Sequence, residues 1–160
     1  MSSWRSLIGL LLMVVNVSVA MATESDGLPP IKSRVNDHAA VLSKGQMHRL
    51  YQVSAQHQFA TRNHVVVVTA ESAGSESVEA YAKRVWNAWQ PKKRSNSVML
   101  LLVKEPKGAA IIAGDALGKA LNEATVKRVI DEKVSTKLQQ DDYDGAVEEG
   151  MSAIVSELGR

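Results

Sequence analysis

His64-Val65-Val66-Val67-Val68-Thr69-Ala70 and Val98-Met99-Leu100-Leu101-Leu102-Val103 are apolar runs without polar alternation. A strand solvated on one side alternates, whereas one apolar at nearly every position is covered on both faces. Two such strands call for helices on both sides of one sheet. Between them a helical stripe of Val78, Tyr81/Ala82, Val85/Trp86 and Trp89 runs within Glu76 to Gln90, and Pro91 stops it. Strand, helix and strand make a βαβ unit, which places the strands parallel with a right-handed crossover. Glu105-Pro106-Lys107-Gly108 then turns the chain into a third strand, Ala109 to Ala113, which pairs back as a hairpin. The predicted fold is α/β, a three-layer α/β/α sandwich with a small mixed sheet flanked by helices on both faces.

Outward from this centre the helices announce themselves by their caps. Ser43 with Gln46 three residues later forms a capping box, and Leu42 can staple to Met47. That helix is expected from Lys44 to about Ala60, with Met47, Leu50, Tyr51 and Ser54 facing inward. Asn122 can cap a helix whose inner face is Val126, Val129/Ile130, Val134 and Leu138. Asp144 can cap a last one with Val147, Met151, Ile154/Val155 and Leu158. Residues 23–33, with Pro29-Pro30, read as an extended lead-in to a single domain over 34–160.

Residues 1–22 read as a signal peptide. Arg5 precedes the apolar stretch Leu7 to Val15, and Ala20-Met21-Ala22 offers small residues for cleavage after Ala22. The stretch falls short of the ~20 apolar residues of a spanning helix and is broken by Asn16 and Ser18. Export to a periplasm or the extracellular space is expected, with no transmembrane anchor left after cleavage. The formal charge of +2 argues against a nucleic-acid partner, which calls for a strongly basic surface. The absence of cysteine removes disulfides, thiol chemistry and Cys-ligated zinc.

Most catalytic templates fail. Gly74-Ser75-Glu76-Ser77 lacks the glycines flanking a nucleophile elbow, and no phosphate-cradling glycine loop occurs. His38, His48, His57 and His64 contain no pair four apart, so no helical zinc face exists and solvated or partly buried roles are expected. If Gly145 took the sixth place of a calcium loop, Met151 would stand where a bidentate Glu is required. Asp141 to Asp144 therefore reads as a helix start whose dipole favours acids. Lys92-Lys93-Arg94 reads as a basic loop. Hairpin geometry brings loops 92–97 and 114–122 to one edge of the sheet, beside the start of the first buried strand. There Arg62, Lys92, Lys93, Arg94, Asn96, Asp115, Asn122 and Glu123 gather, a mixture that suits a metal or phosphate site and equally an ordinary loop edge.

The order of segments resembles the TPM domain family, named for a thylakoid lumen protein, a photosystem II repair protein and a receptor-associated membrane protein. The likeness is carried by Arg34-Val35-Asn36-Asp37-His38-Ala39-Ala40-Val41-Leu42-Ser43, Ala82 to Trp89, Val98 to Val103, Ile111-Ile112-Ala113-Gly114 and Asp142-Tyr143-Asp144-Gly145. The resemblance implies an α/β/α fold on the outer side of a membrane, phosphatase-like activity, divalent-cation binding, and roles in maintaining membrane complexes. Carried onto this chain, it implies calcium or magnesium held by Asp37, Asp115, Glu123 and Asp142, with Asn96 nearby. Lys93, Arg94 and Lys119 would then steady an anion.

The chain also departs from the family pattern. Ser95-Asn96-Ser97 stands for an Asp-(Asn)-Gly, and Gly114-Asp115-Ala116-Leu117-Gly118-Lys119 for Gly-Tyr-Gly-Leu-Glu-Gly. A glutamate has become Gly118 and a glycine Lys119, so the cluster is less negative and its cation affinity falls. The resulting expectation is an exported binding or accessory module for envelope or membrane proteins, with a degenerate phosphatase-like site. Its alternative is a weak divalent-cation-dependent phosphatase acting on phosphate monoesters.

Overall fold

A computed structural model describes residues 27–89 and 94–159, with backbone alone at Arg94. The expected signal peptide, residues 23–26, Lys92 and Lys93 lie outside the described residues. The elements are β1 (Val35–Asp37), α1 (Lys44–Thr61), β2 (His64–Ser72), α2 (Val78–Ala88), β3 (Ser97–Glu105) and β4 (Gly108–Ala113). They are followed by α3 (Glu123–Val129), a π turn (Ile130–Ser135), α4 (Thr136–Gln139) and α5 (Tyr143–Leu158). The sheet order is β1-β2-β3-β4, with β1, β2 and β3 parallel and β4 antiparallel to β3. This is the α/β sandwich with a mixed sheet that the two apolar runs demanded.

The runs are apolar throughout because their alternate residues enter two separate cores. Val65, Val67, Val98, Leu100 and Leu102 join Leu50, Val129, Val134, Val147, Met151 and Ile154 on the face covered by α1 and by the α3 to α5 segment. Val66, Val68, Met99, Leu101 and Val103 join Tyr81, Ala82, Val85 and Trp86 of α2 on the other face. Leu28 and Ile31 pack there as well, so residues read as a lead-in contribute to the core.

Other elements depart from the sequence reading for identifiable reasons. The buried line of α1 is Gln46, Leu50, Ser54 and His57, and Tyr51 is 45 % exposed instead of inward. Long-range bonds set this rotation: Gln46 Nε2 donates to the Asp144 carbonyl and to Glu148 Oε2, both at 3.2 Å. Ser43 still caps the helix, accepting from the Gln46 amide at 3.1 Å. The last helix is capped by Asp142 rather than Asp144, with the Gly145 amide donating to it at 2.8 Å. Val129, Val134 and Leu138 are all buried, and the five-residue step between the first two is absorbed by the π turn.

Candidate functional site

The parallel strands give the sheet a carboxyl end and an amino end, and the predicted site residues divide between them. Asp37 closes β1 at the carboxyl end, opposite Thr69 of β2. Its Oδ1 accepts from the Val41 amide at 3.2 Å and from Thr69 Oγ1 at 2.5 Å, and its Oδ2 from the Leu42 amide at 3.0 Å. The carboxylate thus braces the loop that leads into α1. Asp142 lies at the same end, where its Oδ1 accepts from the Gly145 amide and its Oδ2 is 3.8 Å from Lys137 Nζ. Asp144 Oδ1 accepts from the Ser43 amide at 3.1 Å. Asp141 pairs with Lys107, and that hydrogen bond holds the Lys107 ammonium above its ordinary pKa.

The amino end carries the loop edge anticipated from hairpin geometry. The Gly114 amide donates to the Ser97 carbonyl at 2.8 Å, and the short turns Arg94–Asn96 and Asp115–Leu117 lie against each other. Asn96 Oδ1 accepts from Ser95 Oγ at 3.1 Å. Trp86, Ser95, Ala113, Gly114 and Asp115 line a cavity of about 340 Å³. Asp115, Lys119 and Glu123 are exposed, and Glu123 opens α3 behind the Asn122 cap. Lys93 lies outside the described residues, and Arg94 contributes its backbone to the first turn.

The four acids proposed as one ion-binding set do not converge. β1 places Asp37 at the level of Thr69, whereas β4 ends with Ala113 at the level of Val98 and hence of Val65. Four residues of strand, about 13 Å, separate those levels. Among the described residues no group of three His, Asp or Glu side chains is placed to hold a metal. A divalent cation requires several oxygen ligands at one point, and Asp37 and Asp142 already serve backbone donors of their own loops. The residues present do not fit a shared ion.

The sequence reading missed Thr69 and the group around Arg34. Arg34 donates to Ser54 Oγ at 3.2 Å and to Gln58 Oε1, and its guanidinium carbon lies 5.7 Å from the centre of the Tyr51 ring. Asn36 is buried with four bonds. Its Oδ1 accepts from the Lys32 and Ser33 amides, and its Nδ2 donates to the Ser33 and Val67 carbonyls. The segment that carried the family likeness is therefore a folding device, in which Arg34, Asn36 and Asp37 each tie β1 to a neighbour.

The fold occurs in solved bacterial structures. The N-terminal domain of a protein from P. gingivalis matches with a TM-score of 0.72 and 21 % identity, covering 84 % of each chain. The N-terminal domain of the cg2496 protein from Corynebacterium glutamicum matches at 0.63 and 15 %, covering 79 % of this chain and 80 % of that one. The BA42 protein from Bizionia argentinensis matches at 0.61 and 13 %, covering 74 % and 81 %. No curated protein matches the chain. The TPM domain model matches residues 35–157, from the first strand to the penultimate residue of the last helix. By that match over most of its length, the chain belongs to the TPM domain family.

Proposed function

We infer that this chain is an exported protein of the cell envelope that works as a binding or accessory module, its phosphatase-like site having degenerated. The observation that carries the reading is the division of Asp37 and Asp142 from Asp115 and Glu123, at opposite ends of the sheet. Metal-assisted hydrolysis needs its carboxylates on one ion, where they can activate water or neutralise phosphate oxygens. The amino end instead offers an acid, an amide and a cation on converging loops, and in sequence Lys92-Lys93-Arg94 immediately precedes Ser95-Asn96. Such an edge suits recognition of an envelope or membrane protein. The leader-like residues 1–22 support export.

Calcium or magnesium titration followed by NMR tests the reading. The amides of 36–38 and 114–123 should not shift together at millimolar ion. A joint shift accompanied by hydrolysis of a phosphate monoester would replace the accessory module with a cation-dependent phosphatase. Pull-down from envelope extract should lose its captured partner when Lys92, Lys93 and Arg94 are changed to Ala. An unchanged partner list would remove that edge from the reading.

A further inference from the structure

Every ion pair among the described residues takes its cation from residue 84 onward: Arg84, Lys104, Lys107, Lys127, Arg128 or Lys137. Later in the chain Lys119 and Lys133 also lack a carboxylate partner among the described residues, but before residue 84 every described lysine and arginine lacks one. Lys32, Arg34, Lys44, Arg49 and Arg62 have no carboxylate partner among the described residues. The sequence supplies the reason, since no Asp or Glu occurs between His38 and Ala70. Asp37, just ahead of that stretch, is held by Val41, Leu42 and Thr69. Arg34 illustrates the result: its partners Ser54, Gln58 and Tyr51 are all uncharged.

The same helix carries a second, independent feature. At about 100° per residue, steps of four, three, four and four align Lys44, His48, Tyr51, Ala55 and Phe59 in one outward stripe, and the C-cap Arg62 follows beside Phe59. It lies away from the buried line of α1. Phe59 is 86 % exposed. Arg34, Ala55, Gln58, Phe59 and Arg62 line one depression of about 290 Å³, which brings two guanidinium groups beside a protruding aromatic ring. Arg62 holds this place with φ 68° at the helix C-cap, a conformation that glycine adopts with less strain.

We propose that the outward face of α1, together with Arg34, docks the protein onto an anionic membrane surface. The cations meet lipid phosphates while Phe59 and Tyr51 enter the headgroup layer. A bilayer fits better than an acidic protein because the stripe extends along the whole helix. The 18 residues of α1 span about 27 Å, with cations at both ends and aromatics between. A planar, repeating negative surface neutralises such a spread of charge, and the interface favours amphipathic rings. The proposal is independent of whether the amino end of the sheet binds a partner or hydrolyses a phosphate.

Vesicle sedimentation tests it, using the chain purified as its host processes it, so that every variant shares the same N-terminus. Phosphatidylglycerol-containing vesicles should retain the protein, vesicles of phosphatidylcholine alone should not, and salt should weaken retention. Lys44→Gln with Arg62→Gln should lower partitioning about 25-fold, near fivefold for each charge. Phe59→Ala should lower it with the charge unchanged. Lys127→Gln with Lys133→Gln removes equal charge elsewhere and should leave partitioning as it was. All these side chains are exposed, and circular dichroism confirms that each variant folds. Equal binding to neutral vesicles, no binding at all, or an equal loss in the Lys127/Lys133 variant would overturn the proposal. Retention on a polyglutamate resin without vesicle binding would assign the face to an acidic protein instead.

Discussion

The Thr69 hydroxyl donates to the Asp37 carboxylate at 2.5 Å, between two residues that are also register partners across β1 and β2. Thr69 is fully buried, and its oxygen accepts from the Ala39 amide at 3.1 Å. One hydroxyl thus satisfies a donor in the loop after β1 and orients the carboxylate that holds Val41 and Leu42. Thr69→Val keeps the shape and removes both bonds. The loss should be about 1–3 kcal/mol, read as a lower urea midpoint with an unchanged slope. An unchanged midpoint would mean that Asp37 braces the loop unaided.

Asn36 presents a stricter case because all four of its bonds are internal. Asn36→Leu leaves the Lys32 and Ser33 amides and two carbonyls without this partner. A cost of about 2–4 kcal/mol is expected from several unsatisfied groups. Hydrogen exchange at residues 32–37 should rise in the variant. Protection equal to wild type there would show that solvent replaces the side chain without penalty.

Gly145 and Asp142 are coupled through space. A Cβ at residue 145 would collide with the Asp142 carboxylate that caps α5. Gly145→Ala should therefore destabilise by about 1–3 kcal/mol, and Asp142→Ala by about 1 kcal/mol through loss of the cap. Together they should cost less than the sum, since removing the carboxylate removes the collision. Additive denaturation midpoints would refute the coupling.

His57 should make the protein sensitive to mild acid. Burial holds its pKa below the ordinary value of 6.5, and Nε2 has no hydrogen-bond partner among the described residues. The unfolded chain then binds a proton that the folded chain resists, so stability rises with pH in this window. The contribution is intact above pH 6.5 and declines as pH falls below it. His57→Gln should flatten the fall in urea midpoint between about pH 7.5 and 5.5 (about one unit either side of the reference value). An identical slope in both proteins would remove His57 as its source.

Much of the architecture was legible because it depends on local chemistry and on binary pattern. The unbroken runs around Val65 and Leu100 require cover on both faces, and Ser43 and Asn122 cap the helices they precede. β1 was not legible, since three residues at a sheet edge carry no alternation and gain their strand geometry from β2. The rotation of α1 was hidden for a similar reason. By residue type Tyr51 suits the interior better than Gln46, and the bonds from Gln46 to Asp144 and Glu148, about a hundred residues away, are what satisfy a buried amide there.

The acids show where that boundary falls. By itself the sequence determined the layers, the caps that start α1 and α3, the acid-free stretch from His38 to Ala70, and the meeting of the turns just before β3 and just after β4. The tertiary structure alone decided that Asp37 and Asp142 belong to one end of the sheet while Asp115 and Glu123 belong to the other. It also decided which of these carboxylates serve backbone amides. The physical reason is that an apolar pattern is read from neighbours in sequence, whereas a carboxylate's role is set by whichever donors the folded chain brings within about 3 Å of its oxygens.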